Sequence, residues 1–223
     1  MIIYGSVVSP YVRKVLMFAG EKGVVVEQRP GGMGQGGDEF AQASPFGKMP
    51  ALRDPGAGVD GGDYLLADSS AICAYLDAKH PDNPLIPAEA RARGECIWFD
   101  EFADTILTGA GGKMFFNRVV MPLFLKTDGD LAAADVAETK ELPKVLDWLN
   151  ARLSGRAFLV GDSLTLADIA VIVPFNNVSE AGYVVDAVTY PDLTRWIAAI
   201  GARPSIAPHN AKMSGFIAKV RGG

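Results

Sequence analysis

With 223 residues, 49% of them hydrophobic and 21% charged, the chain is long enough for one large domain or two small ones with ample core. A net charge of -5 and a pI near 5.1 argue against nucleic acid or an anionic membrane as its main partner. Cys73 and Cys96 lack the number and spacing of a disulfide framework or a zinc site, so no metal is expected. No segment approaches the ~20 apolar residues of a membrane span. The start MIIYGS lacks the features of a signal peptide. A soluble, cytoplasmic protein is expected.

The run 1-MIIYG-5 suits a buried strand. In 9-SPYVRKVLMFAGEKG-23, Ser9 is a good N-cap and Pro10 fits the first helical position. Val12, Val15, Leu16 and Ala19 repeat at helical spacing, and Gly23 is a stop. The β-branched 24-VVVEQ-28 predicts a second strand. The chain thus opens β-α-β, which implies a parallel pair. A glycine-rich loop, 31-GGMGQGG-37, precedes a short helical piece near 38-DEFAQA-43. Strands at 49-MPALR-53 and 64-YLLA-67 flank the turn-rich 54-DPGAGVDGGD-63. A third helix opens near Asp68 or Ser69, carries Ile72, Cys73, Tyr75 and Leu76, and stops before Pro81.

Three prolines in 81-PDNPLIP-87 mark a stiff linker and a domain boundary. Beyond it, residues 88–120, 130–153, 163–182 and 191–202 carry helical periodicity, with no convincing strand. The expected division is an α/β domain over 1–80, a linker over 81–87 and an all-α domain of roughly five helices over 88–223. Thr165 and Asp168 form a capping box, with Leu164 and Ile169 spaced as a hydrophobic staple. These four are assigned to folding.

Pro50 stands among strand residues although proline cannot donate to a ladder. Taken alone, it is either an ordinary trans edge proline or a cis proline that frees Met49 to pair with a peptide. The wider pattern bears on this choice. The segments 9-SPYVRKVLMFAGEKG-23, 44-SPFGKMPAL-52, 68-DSSAICAYLD-77 and 161-GDSLTLADIAV-171, in this order and spacing, resemble the glutathione transferase superfamily over nearly the whole length. The resemblance implies a thioredoxin-like α/β N-terminal domain followed by an all-α C-terminal domain. It also implies glutathione as co-substrate, and a homodimer. It makes Pro50 the cis proline and pairs Met49 with the cysteinyl backbone of glutathione.

The remaining site residues follow from the same resemblance. A thiolate is the reactive form of a thiol whose pKa lies near ~8.5. Ser9, at the mouth of the first helix, can donate to that sulfur, and the helix N-terminus adds positive potential. Serine here, and not cysteine, favours thiolate activation over thiol transfer. Ser9 also reads as a plain N-cap, with Tyr11 and Ser6 as reserve donors. Ser69 is implied to bind the γ-glutamyl carboxylate, with Asp68 facing the α-amino group. Aspartate departs mildly from the usual glutamate, and Ser70 removes a cation many relatives carry. Lys48 and Gln35 are what the chain offers the glycyl carboxylate. The second substrate is expected between the domains, near Val8, Tyr11, Met114, Phe115, Arg118 and Met121, although Phe115 also reads as core. Arg118 would favour an acidic or polar acceptor.

The expected function is a glutathione transferase acting on a small electrophile, with no nucleic acid or membrane partner. The alternatives are a glutathione-binding or interaction protein with little turnover, and an isomerase, ether-cleaving or reductase variant of the same fold.

Overall fold

The computed structural model describes residues 1–222 and divides into two compact units, Met1–Ile86 and Pro87–Gly223. The first unit runs β1 (Ile2–Tyr4), α1 (Pro10–Glu21), β2 (Glu27–Arg29), α2 (Gly37–Ala43), β3 (Ala51–Asp54), β4 (Tyr64–Ala67) and α3 (Ser69–Lys79). Its sheet has the order β2-β1-β3-β4. β1 runs parallel to β2 with Ile3 opposite Gln28, and antiparallel to β3 with Ile3 opposite Leu52. β3 and β4 are antiparallel, with Leu52 opposite Leu66.

Side chains alternate across a strand, so β1 serves two layers. Ile2 and Tyr4 pack with Phe40 and Ala43 of α2, joined by Ala51. Ile3 and Leu52 point to the other face, that of α1 and α3, and both are fully enclosed. Each such side chain contributes about 1.5–3 kcal/mol by leaving water.

The second strand differs from the sequence expectation. It covers Glu27–Arg29 and not 24–28. The Val24 N–H donates to the Ala19 carbonyl (2.9 Å), which closes α1 in the manner of a Schellman cap. Val25 is accordingly 90% exposed. Residues 24–26 finish a helix before the chain reaches the register set by β1.

Residues 83–86 are fastened to the first unit. Lys22 Nζ donates to Asp77 Oδ1 (2.8 Å) and to the Asn83 carbonyl (2.6 Å). Asp77 also accepts the Leu85 N–H (2.9 Å) and the Ile86 N–H (3.3 Å). Asn83 Nδ2 donates to the Glu21 carbonyl (2.9 Å).

The second unit is helical throughout its regular structure. It comprises α4 (Ala90–Glu101), α5 (Thr108–Phe115), α6 (Leu131–Val136), α7 (Leu142–Arg152), α8 (Leu166–Glu180), α9 (Pro191–Gly201) and α10 (Ala207–Gly222). Stretches Phe102–Leu107, Phe116–Leu125 and Ala137–Glu141 wind as π-helix; the first and third join their neighbours without a break, and the second continues α5 and ends at the left-handed Lys126. α8 is apolar on all sides and buried from Leu166 through Phe175, so it forms the centre of this unit. The sequence expectation ended at residue 202 and missed α10. That helix buries only Met213 and Ile217, and two apolar contacts in sixteen residues leave no visible stripe. No described helix is long and apolar enough to cross a membrane.

Candidate functional site

The loop between β1 and α1 brings three candidate residues together. The Ser9 N–H donates to the Ser6 carbonyl (3.1 Å), making a tight turn. Ser9 is the N-cap of α1, and its Oγ accepts the Val12 N–H at 3.4 Å. Accepting uses a lone pair and leaves the hydroxyl hydrogen for another partner. Capping and donating to a ligand are therefore compatible at Ser9. Ser6 Oγ likewise accepts the Val8 N–H (3.3 Å). Tyr11 and Val8 are half-buried beside them. The loop is held from behind by Arg13, which is 0% exposed and whose Nη1 donates to the carbonyls of Val7 (2.9 Å) and Val8 (3.3 Å).

Met49 ties this loop to the segment that leads into β3. Its sulfur accepts the Ser6 N–H (3.4 Å). Two glycines make room for the side chain. A Cβ on Gly5 would lie 3.2 Å from Met49 Cβ and 2.4 Å from Val12 Cγ2, and one on Gly32 would lie 2.7 Å from Met49 Cε. The Met49–Pro50 peptide bond is cis. Among the described residues, the main-chain N–H and C=O of Met49 make no hydrogen bond, although they sit at the start of β3.

The α3 N-terminus lies next to that corner. The Asp68 N–H donates to the Pro50 carbonyl (3.4 Å). Asp68 is exposed and is the N-cap, with Oδ1 accepting the N–H groups of Ser70 (2.9 Å) and Ala71 (3.0 Å). Its backbone sits at φ 86 and ψ 132, a conformation that costs a non-glycine residue about 1–3 kcal/mol. Strain of this kind collects at binding sites. The cap satisfies the second and third amides of the helix and leaves the first, that of Ser69, without an acceptor among the described residues, with the dipole behind it. Ser69 itself is 3% exposed. An open first amide at a helix start has the chemistry to hold an anion.

Lys48 and Gln35 are exposed, and their side chains make no hydrogen bond or ion pair among the described residues. Three residues expected at a second-substrate pocket have surroundings of their own within the second unit. Met114 (0% exposed) and Phe115 (5%) are enclosed in the helical core of the second unit. Arg118 is not a spare cation. Its Nη2 meets Asp135 Oδ1 at 2.7 Å and Glu138 Oε2 at 2.5 Å, and Nη1 donates to the Ala181 carbonyl (3.4 Å). Two carboxylates more than cancel its charge, so it does not select for an acidic acceptor. Met121 remains half-buried, with its sulfur accepting from Thr127 Oγ1 (3.7 Å).

Neither cysteine is placed for nucleophilic work. Both are buried, and burial pushes the Cys96 thiol up to about 11, so the thiolate is scarce at neutral pH.

Family profiles match on both sides of the unit boundary. Residues 3–84 match the glutathione S-transferase N-terminal domain and residues 114–204 the C-terminal domain. Glutathione S-transferase 3 of Zea mays is 31% identical over 211 residues, which span 91% of this chain and 90% of that protein. The chain belongs to the glutathione transferase family. The structure of glutathione S-transferase-I bound with lactoylglutathione superposes with a TM-score of 0.81 at 26% identity, covering 94% of this chain and 98% of that one. A glutathione transferase from Burkholderia graminis, with two glutathione molecules bound per subunit, superposes at 0.77 with 29% identity, covering 94% and 86%.

As a glutathione transferase, the chain carries basic residues that the sequence reading passed over. Arg13 and Lys14 interrupt the apolar run Val12–Ala19, yet both are buried with it. A charged pair inside an apolar stretch was the available signal, because buried charges require partners.

Proposed function

We propose that this chain activates glutathione as its thiolate and transfers it to an electrophilic carbon of a small molecule. One observation carries the reading. The unpaired main-chain N–H and C=O of Met49 lie between the loop that starts α1 and the cap that starts α3. An extended peptide can pair with such open main-chain groups. A carboxylate at one end of it would meet the Ser69 amide and hydroxyl, and a thiol further along would meet Ser9. Ser9 is the proposed donor to sulfur, with Ser6 and Tyr11 behind it. Ser69 receives the γ-glutamyl carboxylate and the unused Oδ2 of Asp68 faces the α-amino group. Lys48 and Gln35 serve the glycyl end, and their exposure supports a loose grip there. Val8, Tyr11 and Met121 remain as the proposed contacts of the electrophile. Residence in the cytoplasm and assembly as a homodimer belong to the same reading and rest on the family.

A glutathione titration followed by a panel of electrophiles tests it. Ser69→Ala is expected to raise the KM for glutathione about 10-fold, since a hydrogen bond to a charged group is worth ~1.5–3 kcal/mol. Its kcat should stay within about twofold, because this end binds ground and transition states alike. An unchanged KM would place glutathione elsewhere.

A further inference from the structure

Lys14 lies one turn into α1 and is 2% exposed. Its Nζ donates to Ser70 Oγ at 3.2 Å, across 56 positions of sequence. This is not the only interaction Lys14 has. Ser70 is the second residue of α3, and its N–H donates to Asp68 Oδ1 (2.9 Å). The ammonium therefore stands one hydroxyl away from the amide that the Asp68 cap leaves open.

The direction of that hydrogen bond matters. An ammonium only donates, so Ser70 Oγ must accept from it. The Ser70 hydroxyl hydrogen is then left for an acceptor other than Lys14. Hydrogen bonds in such a chain strengthen one another at low local dielectric.

We propose that Lys14, acting through the Ser70 hydroxyl, is a positioning and specificity residue for a ligand carboxylate at the α3 N-terminus. This rests on the reading of that end as the seat of the γ-glutamyl group. In those terms, Lys14 orients the Ser70 O–H so that it joins the Ser69 N–H and hydroxyl in gripping the two oxygens of the α-carboxylate. Lys14 does not touch the reacting sulfur. It discriminates thiol peptides that carry this carboxylate from those that lack it.

The test compares glutathione with an analogue in which the γ-glutamyl residue is replaced by 4-aminobutanoate, which keeps the amine and lacks the carboxylate. Binding is measured by calorimetry and turnover with one fixed electrophile. Lys14→Met should weaken glutathione about 10-fold in Kd and KM with kcat unchanged, and leave the affinity for the analogue as in the unmodified protein. Lys14→Arg should restore much of the loss. Ser70→Ala, which leaves the buried helix face intact, should reproduce the same selective loss. An equal loss for both ligands would make Lys14 a packing residue and overturn the proposal, as would no loss for either. If the unmodified protein binds both ligands equally and Ser69→Ala changes nothing, the γ-glutamyl seat itself is misplaced. If Ser69→Ala weakens glutathione but Lys14→Met and Ser70→Ala do not, the seat stands and Lys14 has no part in it.

Discussion

Replacing Asp168 by alanine is expected to lower stability by about 3–5 kcal/mol while turnover per folded molecule stays unchanged. A capping box alone would account for ~0.5–2 kcal/mol. Asp168 does more than close a box. Its Oδ2 accepts the Thr165 N–H (3.0 Å) and contacts the Thr165 hydroxyl (3.3 Å), and its Oδ1 accepts the Leu159 N–H (2.9 Å) and Trp196 Nε1–H (3.1 Å). The residue is 0% exposed, so alanine would leave the donors of Leu159, Thr165 and Trp196 buried without an acceptor. Each such donor costs ~1–3 kcal/mol, reduced where the structure relaxes or water enters. Asp168→Asn separates shape from acceptance. It preserves volume but turns an amide NH2 toward N–H donors on one side, so most of the loss should remain. Urea unfolding followed by tryptophan fluorescence measures both variants. An unmoved midpoint would overturn the assignment, and so would normal stability with lost activity.

The Ser9→Ala variant is expected to raise the apparent pKa of bound glutathione by about one to two units. A hydrogen bond to an ionised sulfur is worth ~1.5–3 kcal/mol, and each unit corresponds to ~1.36 kcal/mol. If proton removal limits the rate, kcat at neutral pH falls about 10- to 100-fold while KM moves little. The sign follows from which form the bond favours. A donor stabilises the thiolate, so its removal shifts the titration upward toward the free thiol and moves the pH–rate profile to higher pH. Because Ser9 Oγ also accepts the Val12 N–H, a stability loss of ~1 kcal/mol accompanies the change. Thiolate absorbance titrated in both complexes is the measurement. Coincident titrations would reduce Ser9 to a cap, and Ser6→Ala and Tyr11→Phe would then be the variants to titrate.

Local patterns were legible in the sequence wherever one segment decided its own structure. Ser9–Pro10 announced the start of α1, the 68-DSS-70 turn announced α3, and T-x-x-D announced α8. What stayed hidden depends on partners distant in sequence. The second strand slid toward Arg29 because β1 sets its register and the end of α1 claims Val24. Arg118 looked like a cation available to a pocket until Asp135 and Glu138 folded against it. Asp168 looked like half of a box until Trp196 arrived from α9. Lys14 was one more letter in an apolar helix until α3 placed Ser70 beside it. The motif segments thus gave the site its backbone outline, while its charges were set by contacts across the fold.

The segment that follows α3 is proline-rich in composition, yet two of its amides are tied down. The amide hydrogens of Leu85 and Ile86 are both held by Asp77, which is itself gripped by the buried Lys22. Deuterium uptake at these two amides should therefore wait on an opening of the α1–α3 packing and run orders of magnitude slower than at the exposed tip of 56–61. Asp77→Ala would release both hydrogens at once and make 82–86 a site of proteolytic nicking. Rapid labelling of Leu85 and Ile86 in the unmodified protein would show instead that the Asp77 clamp is open in solution.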